Sequence, residues 1–162
     1  MIAYSSETER KKEYLSRYRK SRNLEQQCRE ELAQLYIDVR VPSAKVSDGM
    51  PHAPNSNRDL SDAMAQIERY ELNLIKQINR SEALRVEIAD AITAVEDDDE
   101  KTVLRKMYLS DARPSMEDIG QAMYISRSSA WRLLNKAIDN FKMPLAMAPG
   151  DKSFLFSEVE TV

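Results

Sequence analysis

Residues 115–141 read SMEDIGQAMYISRSSAWRLLNKAIDNF, and they contain two helix-start signals eleven positions apart. Ser115 and Asp118 have the spacing of a capping box, in which the serine side chain accepts a bond from a backbone N–H and the acid reaches back. Ser126 is a second N-cap candidate, because a serine side chain can accept a bond from a free N–H group of a first helical turn. The stretch therefore predicts two short helices joined by a tight turn, which is the pattern of a helix-turn-helix.

The predicted helices span 116–123 and 127–141, and their apolar residues fit the packing of such a motif. The positions expected to pack between the two helices are Ile119, Met123, Ile125, Ala130 and Leu133. Gly120 lies inside the first helix, where glycine costs about 1 kcal/mol relative to alanine. We expect the second helix to cross the first so closely that only a small residue fits at this position.

The side of the second helix that is left after packing is basic and polar. Its residues are Arg127, Ser128, Trp131, Arg132, Asn135 and Lys136. Arginine can bind guanine bidentately, asparagine can bind adenine, and serine or lysine can hold phosphate. We therefore predict that this face contacts DNA in the major groove. Trp131 has two interpretations: it stacks on a sugar or base, or it packs against the long helices or a partner protein.

A third short helix is expected before the motif, with Val103, Leu104, Met107 and Tyr108 on its apolar face. The acidic run 96–100 precedes it. Acids in a first turn complement the positive end of the helix dipole, and the run lacks the spacing and the glycine of a calcium loop. We interpret the run as a helix boundary rather than a cation site.

Two long helices are expected upstream, over 6–38 and 59–95, separated by a loop at 40–58 that is rich in proline and serine. Their apolar stripes need a cover, so an antiparallel hairpin is predicted. Because a two-helix hairpin has a thin core, we also expect a homo-oligomer, with a dimer favoured. The basic start of the first helix is interpreted as a solvated face, with a second phosphate-binding surface as the alternative.

The composition excludes several classes of function. The chain has one His, one Cys and three Gly in 162 residues, with a net charge of −3. A disulfide framework, a cysteine-rich zinc site and a Ser/His/Asp triad are therefore unsupported. We expect no enzyme activity and no cofactor. With no apolar run near the ~20 residues that span a bilayer, no membrane partner is expected, and the location is predicted to be the cytoplasm of a bacterial host.

The motif also resembles region 4 of sigma-70-type factors. The resemblance lies in the order Leu104 and Tyr108, then 116–120, 125–126, 131–133 and 136–138. The whole chain resembles small phage and prophage late-gene transcription regulators related to the autolysin regulatory protein family. This resemblance implies sequence-specific binding of double-stranded DNA, control of late phage transcription and contact with RNA polymerase.

By position, the same resemblance implies that Arg127, Ser128, Trp131 and Arg132 face DNA. One position departs from the family pattern, because Tyr124 stands where the turn usually has glycine. A left-handed backbone is costly for tyrosine, so an altered turn is expected.

The resulting prediction is an all-α protein with a helical hairpin at 1–96, a helix-turn-helix unit at 97–142 and a flexible tail at 143–162. The favoured function is a transcriptional regulator of phage or prophage genes that reads DNA with its last helix. Two alternatives stay open. One is a DNA-packaging protein of the small-terminase kind, and the other is a polymerase-binding adaptor with a degenerate motif.

Overall fold

The computed structural model describes residues 6–40 and 56–144, with side chains from residue 60 onward in the second range. These residues form an all-α structure without strands, which confirms the predicted fold class. The helices are α1 (Glu7–Arg40), α2 (Ser56–Thr93), α3 (Asp98–Tyr108), α4 (Met116–Met123) and α5 (Arg127–Asn140). The predicted loop at 40–58 and the predicted tail at 143–162 lie mostly outside the described residues.

The chain divides into two compact units. Unit I contains residues 1–19 and 84–162, and unit II contains residues 20–83. Unit I thus combines the first turns of α1 and the last turns of α2 with the three short helices. Its members come from both sides of the predicted domain boundary at residue 96.

Unit I has one continuous apolar core. Its fully buried members include Leu15 from α1, Ile88 from α2, Leu104 from α3 and Phe141 after α5. The ring of Phe141 packs on Tyr14, with 5.9 Å between the ring centroids. All four apolar residues predicted for α3 are buried in this core. The three short helices are therefore held on a platform made by the long ones.

Polar contacts fix the start of α1 on this core. The hydroxyl of Tyr14 donates to Glu87 at 3.1 Å, and Arg17 donates to the same carboxylate at 3.0 Å. Lys11 Nζ donates to the backbone carbonyl of Asp139 at 2.8 Å. The first turns of α1 are thus tied both to α2 and to the end of α5.

Unit II has a different interior, in which polar groups dominate. Its buried residues, among those described, are Ser21, Glu25, Ile67 and Ser81. The hydroxyls of Ser21 and Ser81 lie 2.9 Å apart, and Gln77 Nε2 donates to the Ser21 hydroxyl at 2.9 Å. The Tyr36 hydroxyl donates to Glu71, so the partner residue in α2 moves from 77–81 back to 71 as the position in α1 moves from 21 to 36. The helices are therefore antiparallel within this unit, as a hairpin requires.

The predicted apolar stripe of α1 is only partly covered in unit II. Leu24 is exposed, and Cys28, Leu32 and Leu35 are half-buried. Large exposed apolar side chains of the same unit are Ile37, Leu60, Met64, Leu72 and Ile75. Two helices alone do not close over this many apolar groups.

The start of α2 differs from the sequence prediction, whereas the start of α3 agrees with it. The helix α2 begins at Ser56, so the predicted caps Asn57 and Asp59 lie inside its first turn. Asp97 caps α3, since its side chain accepts bonds from the backbone N–H groups of Asp99 and Glu100. This confirms the interpretation of the acidic run as a helix start.

None of the described helices has the length and apolar character needed to cross a membrane.

Candidate nucleic-acid interface

Helix α4 starts at the predicted capping box. The hydroxyl of Ser115 accepts from Asp118 N at 3.1 Å, and the Asp118 carboxylate accepts from Ser115 N at 3.0 Å. These bonds hold the pKa of Asp118 below its ordinary value, because they favour the ionised form. The start of α5 is fixed in the same way, as Ser126 Oγ accepts from Ser129 N at 3.1 Å. Both predicted caps are confirmed.

The turn between α4 and α5 is formed by Tyr124 in a left-handed conformation, with φ 57° and ψ 36°. Tyr124 N donates to the Gln121 carbonyl, and Ile125 N donates to the Gly120 carbonyl at 2.9 Å. This pair of bonds is a Schellman motif, which satisfies carbonyls at the end of a helix. The expectation of an altered turn was therefore wrong. Tyrosine adopts the conformation of the usual glycine, and its side chain is 96% exposed.

Gly120 is required by the close approach of backbone. A Cβ atom at this position would lie 2.8 Å from the carbonyl oxygen of Ile125 and 3.4 Å from Arg127 N. The close crossing inferred from the sequence is thus present, and its tightest point is the turn rather than the body of α5. This contact sets the position of the first turn of α5 relative to α4.

Helix α5 has two chemically distinct sides. One side is in the core of unit I and consists of Ala130, Leu134, Ala137 and Ile138. The opposite side carries Arg127, Ser128, Trp131 and Arg132, all of which are exposed, with Trp131 at 54%. Five of the six residues predicted to face DNA are therefore exposed at the surface of unit I, and Asn135 is half-buried. Of the five residues predicted to pack, Ile119 and Ala130 are buried, whereas the other three are partly buried against the core.

Four of the predicted residues share one surface groove. Arg127, Ser128, Trp131 and Arg132 line a groove of about 460 Å³, which is closed on one side by Met116 of α4. The guanidinium groups of Arg127 and Arg132 make no ion pair with any described residue. The groove thus combines an apolar floor with two positive charges, a combination that suits bases and phosphates.

The remaining two predicted residues lie apart from this groove. Asn135 is half-buried and lies in a neighbouring cavity beside Trp131. Lys136 is at the edge of the exposed side, and its Nζ lies 3.1 Å from Glu100 Oε1. Glu100 is buried and also accepts from Asn140 Nδ2 at 2.9 and 3.0 Å. The hydrogen bond and the charge of Glu100 raise the pKa of Lys136. The ammonium group of Lys136 is therefore already engaged in an ion pair within the protein.

Sequence reasoning missed the surroundings of the Asn135 cavity. Its positive groups are Lys12 and Arg19 of α1 and Arg113 from the segment before α4. The basic composition of the first helix was a signal, but nothing local indicated that it would lie beside α4 and α5. Only the long-range packing of α1 brings these residues together.

Comparison of the chain with protein-family models, with curated proteins and with solved structures gave no match in any of the three. Among the described residues there is no group of three His, Cys, Asp or Glu side chains placed to hold a metal ion.

Proposed function

We propose that this protein is a sequence-specific DNA-binding transcriptional regulator of phage or prophage genes, acting in the cytoplasm of the bacterial host. The observation that carries the proposal is the exposed face of α5. It follows a tight turn, it is anchored by a buried apolar side, and it presents Arg127, Ser128, Trp131 and Arg132 together. These features support the proposal, because a helix that enters the major groove needs such an exposed basic and polar side.

Each residue of this face has a role that follows from its chemistry. Arg127 and Arg132, which form no ion pair with a described residue, have guanidinium groups that can bind guanine through two donors, and Asn135 can bind adenine. Ser128 lies in the first turn of α5, where hydroxyl and backbone N–H groups can hold a phosphate. Trp131 supplies an apolar surface for a sugar or a thymine methyl group. Binding, rather than catalysis, is the proposed activity.

Lys136 has a smaller part in this proposal than the two arginines. It can reach phosphate only by sharing or leaving its ion pair with Glu100, which is buried and would lose a partner. We therefore assign it to the periphery of the DNA contact, where it adds charge without reading sequence.

The regulator is proposed to act as a dimer formed through unit II. In a single chain this unit buries little apolar surface, and Leu72, for example, is 59% exposed. A second copy would cover the same apolar groups on both chains at once, as in a two-fold interface. Two reading helices would then bind two half-sites at a fixed spacing. Light scattering that gives a monomer at micromolar concentration would contradict this assignment.

The proposal is tested by selecting bound fragments from the source phage or prophage genome and titrating them at several salt concentrations. Arg132→Ala is expected to relax base preference and to weaken binding by about 1–3 kcal/mol. Lys136→Ala should weaken all sequences equally, and reduce the salt dependence slightly. Arg80→Ala, an exposed arginine of unit II, is the matched control. Parental affinity and selectivity in both α5 variants would refute the placement of the reading helix.

The two alternatives give different results in the same measurements. A packaging protein of the small-terminase kind would form a ring, so a mass of eight or more subunits would favour it. An adaptor that contacts RNA polymerase would show no salt-dependent DNA binding, and the exposed Trp131 would then be its contact residue. Pull-down of polymerase by the parent but not by Trp131→Ala would support that second case.

A further inference from the structure

A second cavity lies beside the reading face, between α1 and the three short helices of unit I. It has a volume of about 440 Å³, and its walls include Lys12, Arg19, Tyr108, Arg113, Trp131 and Asn135. Met116 and Trp131 also line the groove on α5, so the two depressions are adjacent. Neither the base-reading role nor the core of unit I accounts for the positive charge of this cavity.

Arg19 is the most constrained cation of the cavity. One of its terminal nitrogens donates to the backbone carbonyl of Met107, which holds the guanidinium against the end of α3. Its Nε atom is buried and has no hydrogen-bond partner among the described residues. A buried donor without an acceptor is unfavourable, so the described residues leave the guanidinium group of Arg19 incompletely satisfied.

The charges around Arg19 point in the same direction. Arg113 lies close enough that its positive charge acts on Arg19, and neither Arg113 nor Lys12 forms an ion pair or hydrogen bond with a described residue. Burial lowers the pKa of Arg19, and the charge of Arg113 lowers it further. Glu13 is the one acid that lines the cavity, and it is not without a partner of its own. An anion between the two guanidinium groups would relieve their repulsion.

The cavity wall also carries a neutral donor. Burial raises the pKa of the Tyr108 hydroxyl, so this group stays protonated at neutral pH, and both Arg19 and Arg113 lie near it. Two arginines, a lysine and a tyrosine therefore line one cavity. This donor set fits a tetrahedral oxyanion with several acceptor atoms better than a single carboxylate.

We infer that this cavity is a phosphate-binding site formed by Lys12, Arg19 and Arg113, with Tyr108 as an additional donor. The phosphate has two conceivable sources, which share this chemistry: the backbone of a bound duplex or a free phosphorylated molecule. The position of this cavity next to the groove on α5, with Trp131 and Met116 lining both, favours the duplex, because a helix in the major groove has backbone phosphates on both sides. In that form the inference rests on the proposed function.

Free phosphate is tested first, since it needs no assumption about DNA. The chain has one tryptophan, so the Trp131 indole N–H gives a single side-chain NMR signal that reports on the cavity. Titration of the full chain with inorganic phosphate, at constant ionic strength, should shift this signal saturably. Arg113→Gln and Lys12→Gln should each weaken the response at least about fivefold. The controls Arg80→Gln and Lys76→Gln remove the same charges from unit II and should leave it unchanged.

DNA binding by the same variants then identifies the source. If the phosphate belongs to the duplex, Arg113→Gln lowers affinity about three- to tenfold and reduces the salt slope by about one, while Arg80→Gln does neither. If the NMR response is lost but DNA binding is unchanged, the ligand is a free phosphorylated molecule. If the parent shifts with phosphate but binds no DNA, the proposed function fails and the site stands. Parental behaviour of Arg113→Gln in both measurements would overturn the site.

Discussion

The two units of this protein use the same two long helices in opposite ways. In unit I, the ends of α1 and α2 contribute Leu15, Ile88 and Ile92 to an apolar core that also holds three short helices. In unit II, the other halves of these helices bury Ser21, Glu25 and Ser81, and among the described residues Ile67 is their one buried large apolar side chain. One helix can therefore be a core element over part of its length and a polar-contact element over the rest.

This difference indicates that the two units are stabilised by different interactions. An apolar core stabilises a single chain without a second copy. Each Å² of apolar surface that the chain itself buries contributes about 25 cal/mol. Hydrogen bonds and ion pairs between two helices fix their register but add only about 1 kcal/mol each. Unit I is thus expected to fold on its own contacts, whereas unit II is expected to gain stability from a second copy.

Truncation in the two cores should reveal the largest contrast. Phe141 is fully buried and packs on Tyr14, so Phe141→Ala should lower the free energy of unfolding by about 3–5 kcal/mol. Ile67→Ala in unit II should cost about 2 kcal/mol, since a site with few apolar neighbours can collapse. Urea denaturation followed by circular dichroism measures both. Equal losses would show that the units are equally well packed.

A smaller effect is expected from filling the space at Gly120. Gly120→Ala gains about 1 kcal/mol of helix propensity, but its Cβ would meet the Ile125 carbonyl oxygen at 2.8 Å. The backbone must shift, so a net loss of about 1–3 kcal/mol is expected, together with weaker DNA binding. Gln121→Ala, an exposed change in the same helix, is the control and should be nearly neutral. A stabilised Gly120→Ala variant would show that the turn is not tightly packed.

Acid should reveal the polar character of unit II. Burial raises the pKa of Glu25, but hydrogen bonds from Arg22 and Arg29 outweigh it and hold the pKa below its ordinary value of 4.5. The contribution of Glu25 to stability is therefore complete above pH 4.5 and is lost as the pH falls through the lowered pKa. The difference in unfolding free energy between the parent and Glu25→Gln should shrink below pH 4.5. The exposed Glu31→Gln control should show no such trend, and a parallel trend would assign the effect to net charge.

Local spacing was sufficient to predict the helix-turn-helix. The capping box of Ser115 and Asp118, the cap at Ser126 and the buried Ile119 and Ala130 all depend on residues within one or two turns of each other. The same short-range information located the exposed face of α5. These features are predictable because a helix fixes which residues share a side before any tertiary contact forms.

Contacts between distant segments could not be predicted. The ion pair of Lys136 with Glu100 joins two helices. The hydrogen bond that holds Arg19 at the cavity goes to Met107, which is 88 positions away in the sequence. The sequence also predicted a covered stripe that includes Leu24, which is exposed in one chain. Periodicity shows which residues share a face, but it does not show which neighbour covers that face or where along the helix the cover ends.

The turn residue gives the smallest effect and the one of opposite sign. Tyr124 has a left-handed backbone, its ring is 96% exposed, and no described residue forms a hydrogen bond with its hydroxyl. Tyr124→Gly should therefore raise the free energy of unfolding by about 0.5–1 kcal/mol, the relief of backbone strain exceeding the entropy that glycine adds to the unfolded chain. Tyr124→Asn, which also tolerates this conformation, should give part of the gain.

A stabilised Tyr124→Gly variant that still binds DNA would make this tyrosine dispensable. A stabilised variant that binds more weakly would instead show that strain is kept in unit I for the sake of an exposed ring beside α5. Unit II, where the described residues include no positive φ, offers no comparable position. The measurement therefore tests whether unit I, and not unit II, contains backbone strain that DNA binding requires.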